Sequence, residues 1–200
     1  MITVYGASGH AKVVIDIIKN TNRTVAEVLD DNSSLHSILE YKVTIPEDKD
    51  YENVVIAIGN NEIRRLIVKN INATYVKALI HTSATIGSNV NIGKGTVVMA
   101  HAIINASVSV GSHCILNSSS IIEHDSIIGD FVHVSPGAIV TGGVCIGAGS
   151  HIGAGAVILP NVKIGKNVII GAGAVVLNDV EDNLVIVGNP ARIIKRNTNR

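Results

Sequence analysis

An aliphatic residue returns at every sixth position from Ile80 to Val176, and no other feature of the sequence constrains the fold as strongly. Every member of the series is Ile, Leu or Val, and a second small or branched residue follows four positions later. An amphipathic helix has a period of 3.6 residues and a half-buried strand a period of 2, so neither explains a period of six. A parallel β-helix does, because each repeat adds one short strand and one turn, and successive coils stack.

The composition fits such a narrow, repetitive interior. The chain has one Phe, four Tyr and no Trp, while 46% of its residues are apolar. The formal net charge is zero without any Lys/Arg run, so we expect no nucleic-acid partner. We also expect a cytoplasmic protein with no membrane association, because the sequence shows neither a long apolar span nor a signal peptide. Cys114 and Cys145 are too isolated for a disulfide framework, which predicts free thiols.

The first part of the chain follows a different pattern, which divides the sequence into an α/β domain over residues 1–78 and a solenoid domain with a C-terminal tail over 79–200. Apolar runs predict four strands in the first domain, with helices after the first and the third, at residues 2–5, 24–29, 53–58 and 75–79. Strands that alternate with helices form a parallel sheet, whose ligands bind outside the carboxyl ends of the strands.

Three polar elements follow the first three of these strands and form a candidate ligand site. The candidate residues are Ser8, Gly9, His10, Asp30, Asp31 and Gly59. The glycine turn presents backbone N–H groups at a helix start, which favours a bound anion, and the two carboxylates suit the donors of a sugar or base. The alternatives are a tight turn without a ligand and a solvated acidic turn. Because all three elements lie at one sheet edge, we favour a nucleotide-sugar pocket.

The motifs of both regions together resemble one family. The start GASGHAKVV, the LDD after the second strand, IAIGNNEIR after the third, and IIEHDSIIGDFVHVSPGA among the hexads are similar to the bacterial NeuD/PglD sugar acetyltransferases. The resemblance covers Val4 to Lys195 and implies a Rossmann-like α/β domain followed by a left-handed parallel β-helix. It implies acetyl-CoA as the donor. The most similar member type N-acetylates the 4-amino group of a UDP-linked amino-dideoxy sugar in bacterial glycan biosynthesis.

The family motif assigns the general base of the reaction to His124, with Asp125 orienting the imidazole. An imidazole suits this role because it exchanges protons near neutral pH. The resembled bacillosamine enzymes carry Glu where this chain has Asp125. Gly142 lies eighteen residues after His124, so a coil of three hexads places it directly above. The resemblance makes its backbone N–H the donor to the oxyanion of the tetrahedral intermediate.

Further candidates lie on the coil beside this motif. Asn117 is a candidate for holding the acceptor nitrogen, and a structural Asn turn ladder is the alternative. His133 and His151 are also eighteen residues apart, but no carboxylate or thiol shares their column, so we expect no metal site. The resemblance instead places His133 along the acetyl-CoA groove, with Ala154 and Ala172 further along it.

The catalytic motif does not distinguish an amine from a hydroxyl acceptor, so O-acetylation of sialic acid or another sugar is the enzymatic alternative. The non-enzymatic alternatives are a trimeric scaffold and a metal protein like the γ-class carbonic anhydrases, and the metal protein would leave the N-terminal domain unexplained. A single prism has flat walls and offers CoA little shelter. We therefore expect a homotrimer, with each site using His124 from one chain and CoA contacts from the next, as in related enzymes.

Overall fold

The structure of the chain, a computed structural model that describes residues 1–198, joins an α/β region to a three-walled solenoid. The final two residues of the predicted second domain lie outside the described residues. The last strand of the α/β sheet ends at Tyr75, and the first strand of the solenoid begins at Leu79. The fold predicted for the chain, an α/β region followed by a left-handed β-helix, is confirmed.

The α/β region is a six-stranded sheet with one helix on each face. Its elements are β1 (Ile2–Tyr5), α1 (Gly9–Asn20), β2 (Val25–Leu29), β3 (Ser37–Ile38), β4 (Tyr41–Thr44), β5 (Tyr51–Ile56), α2 (Asn61–Asn70) and β6 (Ala73–Tyr75). The strands lie in the order β3-β4-β2-β1-β5-β6, and only β3 pairs antiparallel. The β3–β4 hairpin was not predicted, and the single strand predicted at 75–79 is wrong, because β6 ends where that run begins.

The solenoid is built from two-residue strands at six-residue intervals. They are β7 (Leu79–Ile80), β8 (Thr85–Ile86), β9 (Asn91–Ile92), β10 (Val97–Val98), β11 (Ile103–Ile104), β12 (Ser109–Val110), β13 (Ile115–Leu116), β14 (Ile121–Ile122), β15 (Ile127–Ile128), β16 (His133–Val134), β17 (Ile139–Val140), β18 (Cys145–Ile146), β19 (His151–Ile152), β20 (Val157–Ile158), β21 (Lys163–Ile164), β22 (Ile169–Ile170) and β23 (Val175–Val176). A hairpin of β24 (Leu184–Val187) and β25 (Arg192–Arg196) closes the C-terminal end.

Every third strand belongs to the same wall. Wall 1 contains β7, β10, β13, β16, β19, β22 and the closing hairpin; wall 2 runs from β8 to β23 and wall 3 from β9 to β21. Paired residues are eighteen apart, as in Ile121 with Ile139 and His133 with His151. The second residue of each strand points into the prism, where a single aliphatic core fills the interior. The stacking of residues eighteen apart, inferred from the period of six, is therefore confirmed.

The glycines that follow the inward aliphatics are needed for close approach rather than for unusual backbone angles. A Cβ atom at Gly93 would lie 2.6 Å from the carbonyl carbon of Gly111 on the next coil, and one at Gly147 would lie 2.5 Å from that of Gly165. Neither glycine has a positive φ. The left-handed conformation occurs elsewhere in each turn, where non-glycine residues such as His113 and Asp125 adopt it.

The outer faces of the three walls differ in polarity. On wall 1, Leu79, Val97 and Ile115 are buried in the same apolar cluster as α1, so this helix fastens the α/β region to the solenoid. The outer column of wall 2 begins at the exposed Thr85 and is aliphatic and half-buried from there on, with Ile103, Ile121, Ile139, Val157 and Val175. The outer column of wall 3 is mixed and includes the exposed Ser109, Ile127 and Lys163. Wall 2 therefore presents the most uniform apolar face.

Candidate functional site

The glycine turn after β1 and the acids after β2 hold each other in place. The Asp30 carboxylate accepts hydrogen bonds from the backbone N–H groups of Ala7, at 2.7 Å, and Asn32, at 2.9 Å. The neighbouring Asp31 accepts from the Tyr5 hydroxyl, with oxygen–oxygen distances of 2.9 and 3.0 Å. The hydrogen bonds of Asp30 thus stabilise the turn that precedes α1. The exposed Asp31 keeps free lone pairs for a ligand.

The turn before α1 leaves room for an anion. The N-cap residue, Ser8, makes no side-chain capping bond, and the first turn of the helix carries no acidic residue. A Cβ atom added at Gly9 would meet nothing within 4 Å. Because the first N–H groups of a helix lack partners within the helix, this open end favours a negatively charged group such as a phosphate. The predicted roles of Ser8 and Gly9 stay predictions that fit this geometry.

Three histidines from both regions lie together on wall 1. The ring of His133 is centred 6.5 Å from that of His10, in the first turn of α1, and 4.7 Å from that of His151 on the next coil. Burial, assisted by the charge of Arg64, lowers the pKa of His10 to about 4, and burial together with His151 and Arg64 lowers that of His133 to about 3. At neutral pH both rings are therefore uncharged.

His133 links the solenoid to the loop after β5. Its Nδ1 lies 3.2 Å from the carbonyl oxygen of Gly59, and its Nε2 lies 3.0 Å from Nδ2 of Asn117. The Asn117 oxygen accepts from the backbone N–H of Ser118 at 2.8 Å, which leaves it one lone pair. A pocket of about 340 Å³ opens beside these groups, and Gly59, His133 and His151 help to line it. The structure thus brings together Gly59, Asn117 and His133.

His124 and Asp125 form a second group, at the corner between walls 2 and 3. His124 Nδ1 lies 2.8 Å from Asp125 Oδ2, and both side chains are exposed. Gly142 lies one coil above, and a Cβ atom there would stand only 2.8 Å from both Cε1 and Nε2 of the imidazole. The glycine therefore gives the ring the space that it occupies. With Nδ1 turned to the carboxylate, Nε2 is the nitrogen available to a substrate proton.

The corner between walls 1 and 2 carries the predicted acetyl-CoA residues. Ala154 and Ala172 are exposed and stand one coil apart. Beside them, Cβ atoms added at Gly137, Gly155 and Gly173 would meet nothing within 4 Å, so the corner is a smooth lane. In a single chain this lane and His124 lie at opposite edges of wall 2, because the strands of that wall separate the two corners. The structure therefore does not bring Ala154 and Ala172 to His124 within one chain.

Sequence analysis missed Arg64, a fully buried cation between the two regions. The side chain is 1% exposed and donates to five acceptors, none of them a carboxylate. Two of these acceptors are the carbonyls of His113 and Phe131, one coil apart on the solenoid. Burial lowers the pKa of Arg64 to about 10, so the guanidinium stays charged at neutral pH. The sequence does hold one signal for Arg64, which is its position three residues after Asn61, on the same face of the helix.

The described residues show neither a metal centre nor a membrane-spanning helix. Within residues 1–198, no group of three or more His, Cys, Asp or Glu side chains is arranged to hold a metal ion. None of the helices in the same residues is long and apolar enough to span a bilayer. Both cysteines are free, with Cys114 buried and Cys145 half-buried, as the sequence predicted.

Comparisons with known proteins agree with this arrangement. The model of the PglD N-terminal domain matches residues 1–71, and that of the bacterial transferase hexapeptide matches residues 125–160 and 143–178. The UDP-N-acetylbacillosamine N-acetyltransferase of Bacillus subtilis is 35% identical over 115 residues, which are 50% of this chain and 51% of that protein. The match thus spans about half the length of this curated relative.

Two solved structures match over nearly the whole chain. PerB from Caulobacter crescentus, in complex with CoA and GDP-perosamine, is 31% identical with a TM-score of 0.90, and the match covers 97% of each chain. The acetyltransferase domain of PglB from Neisseria gonorrhoeae, in complex with acetyl coenzyme A, is 33% identical with a TM-score of 0.88. That match covers 96% of this chain and 98% of the other.

Proposed function

Since the chain belongs to the NeuD/PglD family of sugar acetyltransferases, we propose that it transfers the acetyl group of acetyl-CoA to the 4-amino group of a UDP-linked amino-dideoxy sugar. The similar proteins support N-acetylation of an amino sugar, since they include a UDP-N-acetylbacillosamine N-acetyltransferase and a protein that binds CoA and GDP-perosamine. The choice of UDP follows the curated relative, and PerB shows that the nucleotide differs between relatives.

The observation that carries the proposal is the arrangement of His124, Asp125 and Gly142. The 2.8 Å contact with Asp125 holds the imidazole so that Nε2 faces outward as a proton acceptor. As the sugar amine attacks the thioester carbon, Nε2 takes the proton from nitrogen, and the tetrahedral intermediate then expels the CoA thiolate. The backbone N–H of Gly142 has no partner within residues 1–198 and is suited to donate to the oxyanion.

The α/β region supplies the acceptor site in this proposal. The open N-terminus of α1, at Ser8 and Gly9, holds the diphosphate, and Asp31 receives donors of the ribose or base. The sugar then extends over His10, whose uncharged ring suits hydroxyl groups, toward His133, which the family resemblance places along the acetyl-CoA groove. This path leads from the carboxyl ends of the sheet strands to wall 1, beside the lane of Ala154 and Ala172.

A homotrimer completes the site. The lane for acetyl-CoA and the proposed base lie at opposite edges of wall 2, so one chain alone does not bring them together. Packing the aliphatic outer column of wall 2 against a neighbour buries it and brings the His124 of one chain beside the lane of the next. Each of the three sites then combines residues from two chains, as the sequence led us to expect.

The test is an acceptor screen with acetyl-CoA, which compares UDP-linked, GDP-linked and dTDP-linked 4-amino sugars with free sialic acid and follows release of the CoA thiol. We expect the UDP-linked amine to react fastest. His124→Ala should bind acetyl-CoA as before and lose roughly 10²–10⁴ in kcat, the usual contribution of a general base. The kcat of Asp125→Ala should fall by a smaller factor than that of His124→Ala. Turnover of His124→Ala close to that of the wild type would exclude His124 as the base.

A further inference from the structure

A chain of hydrogen bonds crosses from the solenoid to the loop after β5 and determines the tautomer of His133. The Ser118 N–H donates to Oδ1 of Asn117, which turns Nδ2 of that amide toward His133 Nε2. Because an amide nitrogen only donates, Nε2 must accept. The ring proton is therefore on Nδ1, where it is donated to the Gly59 carbonyl at 3.2 Å.

Arg64 donates to the same carbonyl. Its Nη1 lies 3.3 Å from the oxygen of Gly59 and 2.9 Å from that of Ile58. The rest of the guanidinium is anchored on two successive coils, with Nε 2.8 Å from the carbonyl of His113 and Nη2 3.0 Å from that of Phe131. The loop that carries Gly59 is thus tied to the solenoid by one buried cation.

The anchor lies on a column of the solenoid that faces α2. The column consists of His113, Phe131, Gly149 and Asn167, which are eighteen residues apart. Asn61 and Arg65 flank Arg64 on the helix and contact its later members. The Asn61 amide donates to the carbonyls of Gly149 and Ser150 at 3.1 Å, and Arg65 lies 3.3 Å from the Asn167 side chain. Arg65 is partly exposed and also pairs with Glu62. Among residues 1–198, Arg64 alone connects this column to the Gly59 carbonyl.

We propose that Arg64 is a positioning residue for acetyl transfer, which holds the Gly59 carbonyl against the solenoid so that His133 keeps its Nδ1–H hydrogen bond and its orientation beside the pocket that it lines. The kinetic part of this inference rests on the proposed function, whereas the tautomer is a property of the protein without substrates. The titratable groups that face His133 are His10 from α1, His151 from the next coil and Arg64 itself.

The test is nitrogen-15 NMR of the imidazole rings in the full-length protein, with the His133 signals assigned by their loss in His133→Gln. We expect the Nδ1–H tautomer in the wild type at neutral pH. Arg64→Lys keeps the charge but cannot reach both coils and the Gly59 carbonyl, so the hydrogen bond from His133 Nδ1–H to Gly59 should weaken and the nitrogen-15 shift of Nδ1 should change, while Asn117 keeps the Nδ1–H tautomer. Its kcat should fall roughly tenfold to a hundredfold, since small displacements at a reacting centre have effects of this size. The matched control is Arg65→Lys, which should keep the wild-type spectrum and kcat.

An Nε2–H tautomer in the wild type would overturn the inference, as would an unchanged His133 spectrum and kcat in folded Arg64→Lys. Arg64→Gln is the second variant, since it keeps a donor without the charge. If circular dichroism shows that both variants unfold, Arg64 is structural alone and the positioning role is rejected. Because the spectra need no substrate, an inactive wild type with the expected tautomer would count against the proposed function and not against this inference.

Discussion

Replacing Gly142 with Ala tests whether the space above His124 controls catalysis. The new Cβ would stand 2.8 Å from Cε1 and Nε2, whereas ordinary contacts of a Cβ atom are 3.4–4 Å. The ring must therefore withdraw by about 1 Å, a displacement that typically costs on the order of 10²-fold in rate. That loss corresponds to about 2.7 kcal/mol of transition-state stabilisation.

The same substitution should leave the stability of the protein almost unchanged. The side chain of His124 is 64% exposed, so it can move into solvent without disturbing the core. Gly142 does not adopt a positive φ, and Ala at such a position restricts the unfolded chain, which contributes roughly 0.4–1 kcal/mol in favour of the fold. We therefore expect a melting temperature equal to or slightly above that of the wild type, together with the loss of kcat.

The assay is steady-state release of the CoA thiol with the best acceptor, measured for the two single variants and for Gly142→Ala combined with His124→Ala. If the methyl group acts by displacing the imidazole, the double variant should be no slower than His124→Ala, because there is no ring left to displace. A further loss in the double variant would assign the effect to the backbone of Gly142. A kcat of Gly142→Ala within twofold of the wild type would refute the reasoning.

Three further predictions follow from the site, the walls and the buried histidines. Asp31→Ala should raise KM for the nucleotide sugar and leave the Kd of acetyl-CoA unchanged, as measured by initial rates and calorimetry; equal losses for both substrates would remove Asp31 from the acceptor site. Ile139→Lys on wall 2 should shift the mass in light scattering from a trimer to a monomer, whereas Ile127→Lys on wall 3 should not; a trimer in both would move the interface to another wall. Because burial holds the pKa of His10 and His133 below its ordinary value of 6.5, the unfolded chain binds more protons than the native one below that pH. Stability in urea titrations should therefore fall as the pH drops from 6.5 toward 4, by about 1.4 kcal/mol per pH unit for each histidine, and His133→Gln should reduce the slope.

The sequence predicts the solenoid well because its repeat is carried by side chains. Each inward aliphatic marks one strand, and addition of eighteen gives the residue on the next coil, so the sequence alone predicts Gly142 over His124. The same arithmetic placed His133 beside His151. Long-range contacts are predictable here because the fold converts them into a fixed sequence interval.

The contacts between the two regions could not be predicted in the same way. Arg64 and Arg65 are identical neighbours on one helix, yet Arg64 is buried and Arg65 partly exposed. The partners that distinguish them are mainly backbone carbonyls, which every residue possesses, so no residue type indicates their position. For the same reason, Asp30 was expected to meet a ligand but accepts from the backbone of Ala7 and Asn32.

The pairing of residues eighteen apart restricts how a gene for such a chain can change in length. Insertion of one codon within the coils would rotate every later residue away from its partner and turn core aliphatics toward solvent. Gain or loss of eighteen codons would instead keep all columns aligned and change the prism by one coil, about 4.8 Å. The distance along wall 1 from His133 to the closing hairpin can therefore change only in steps of one coil.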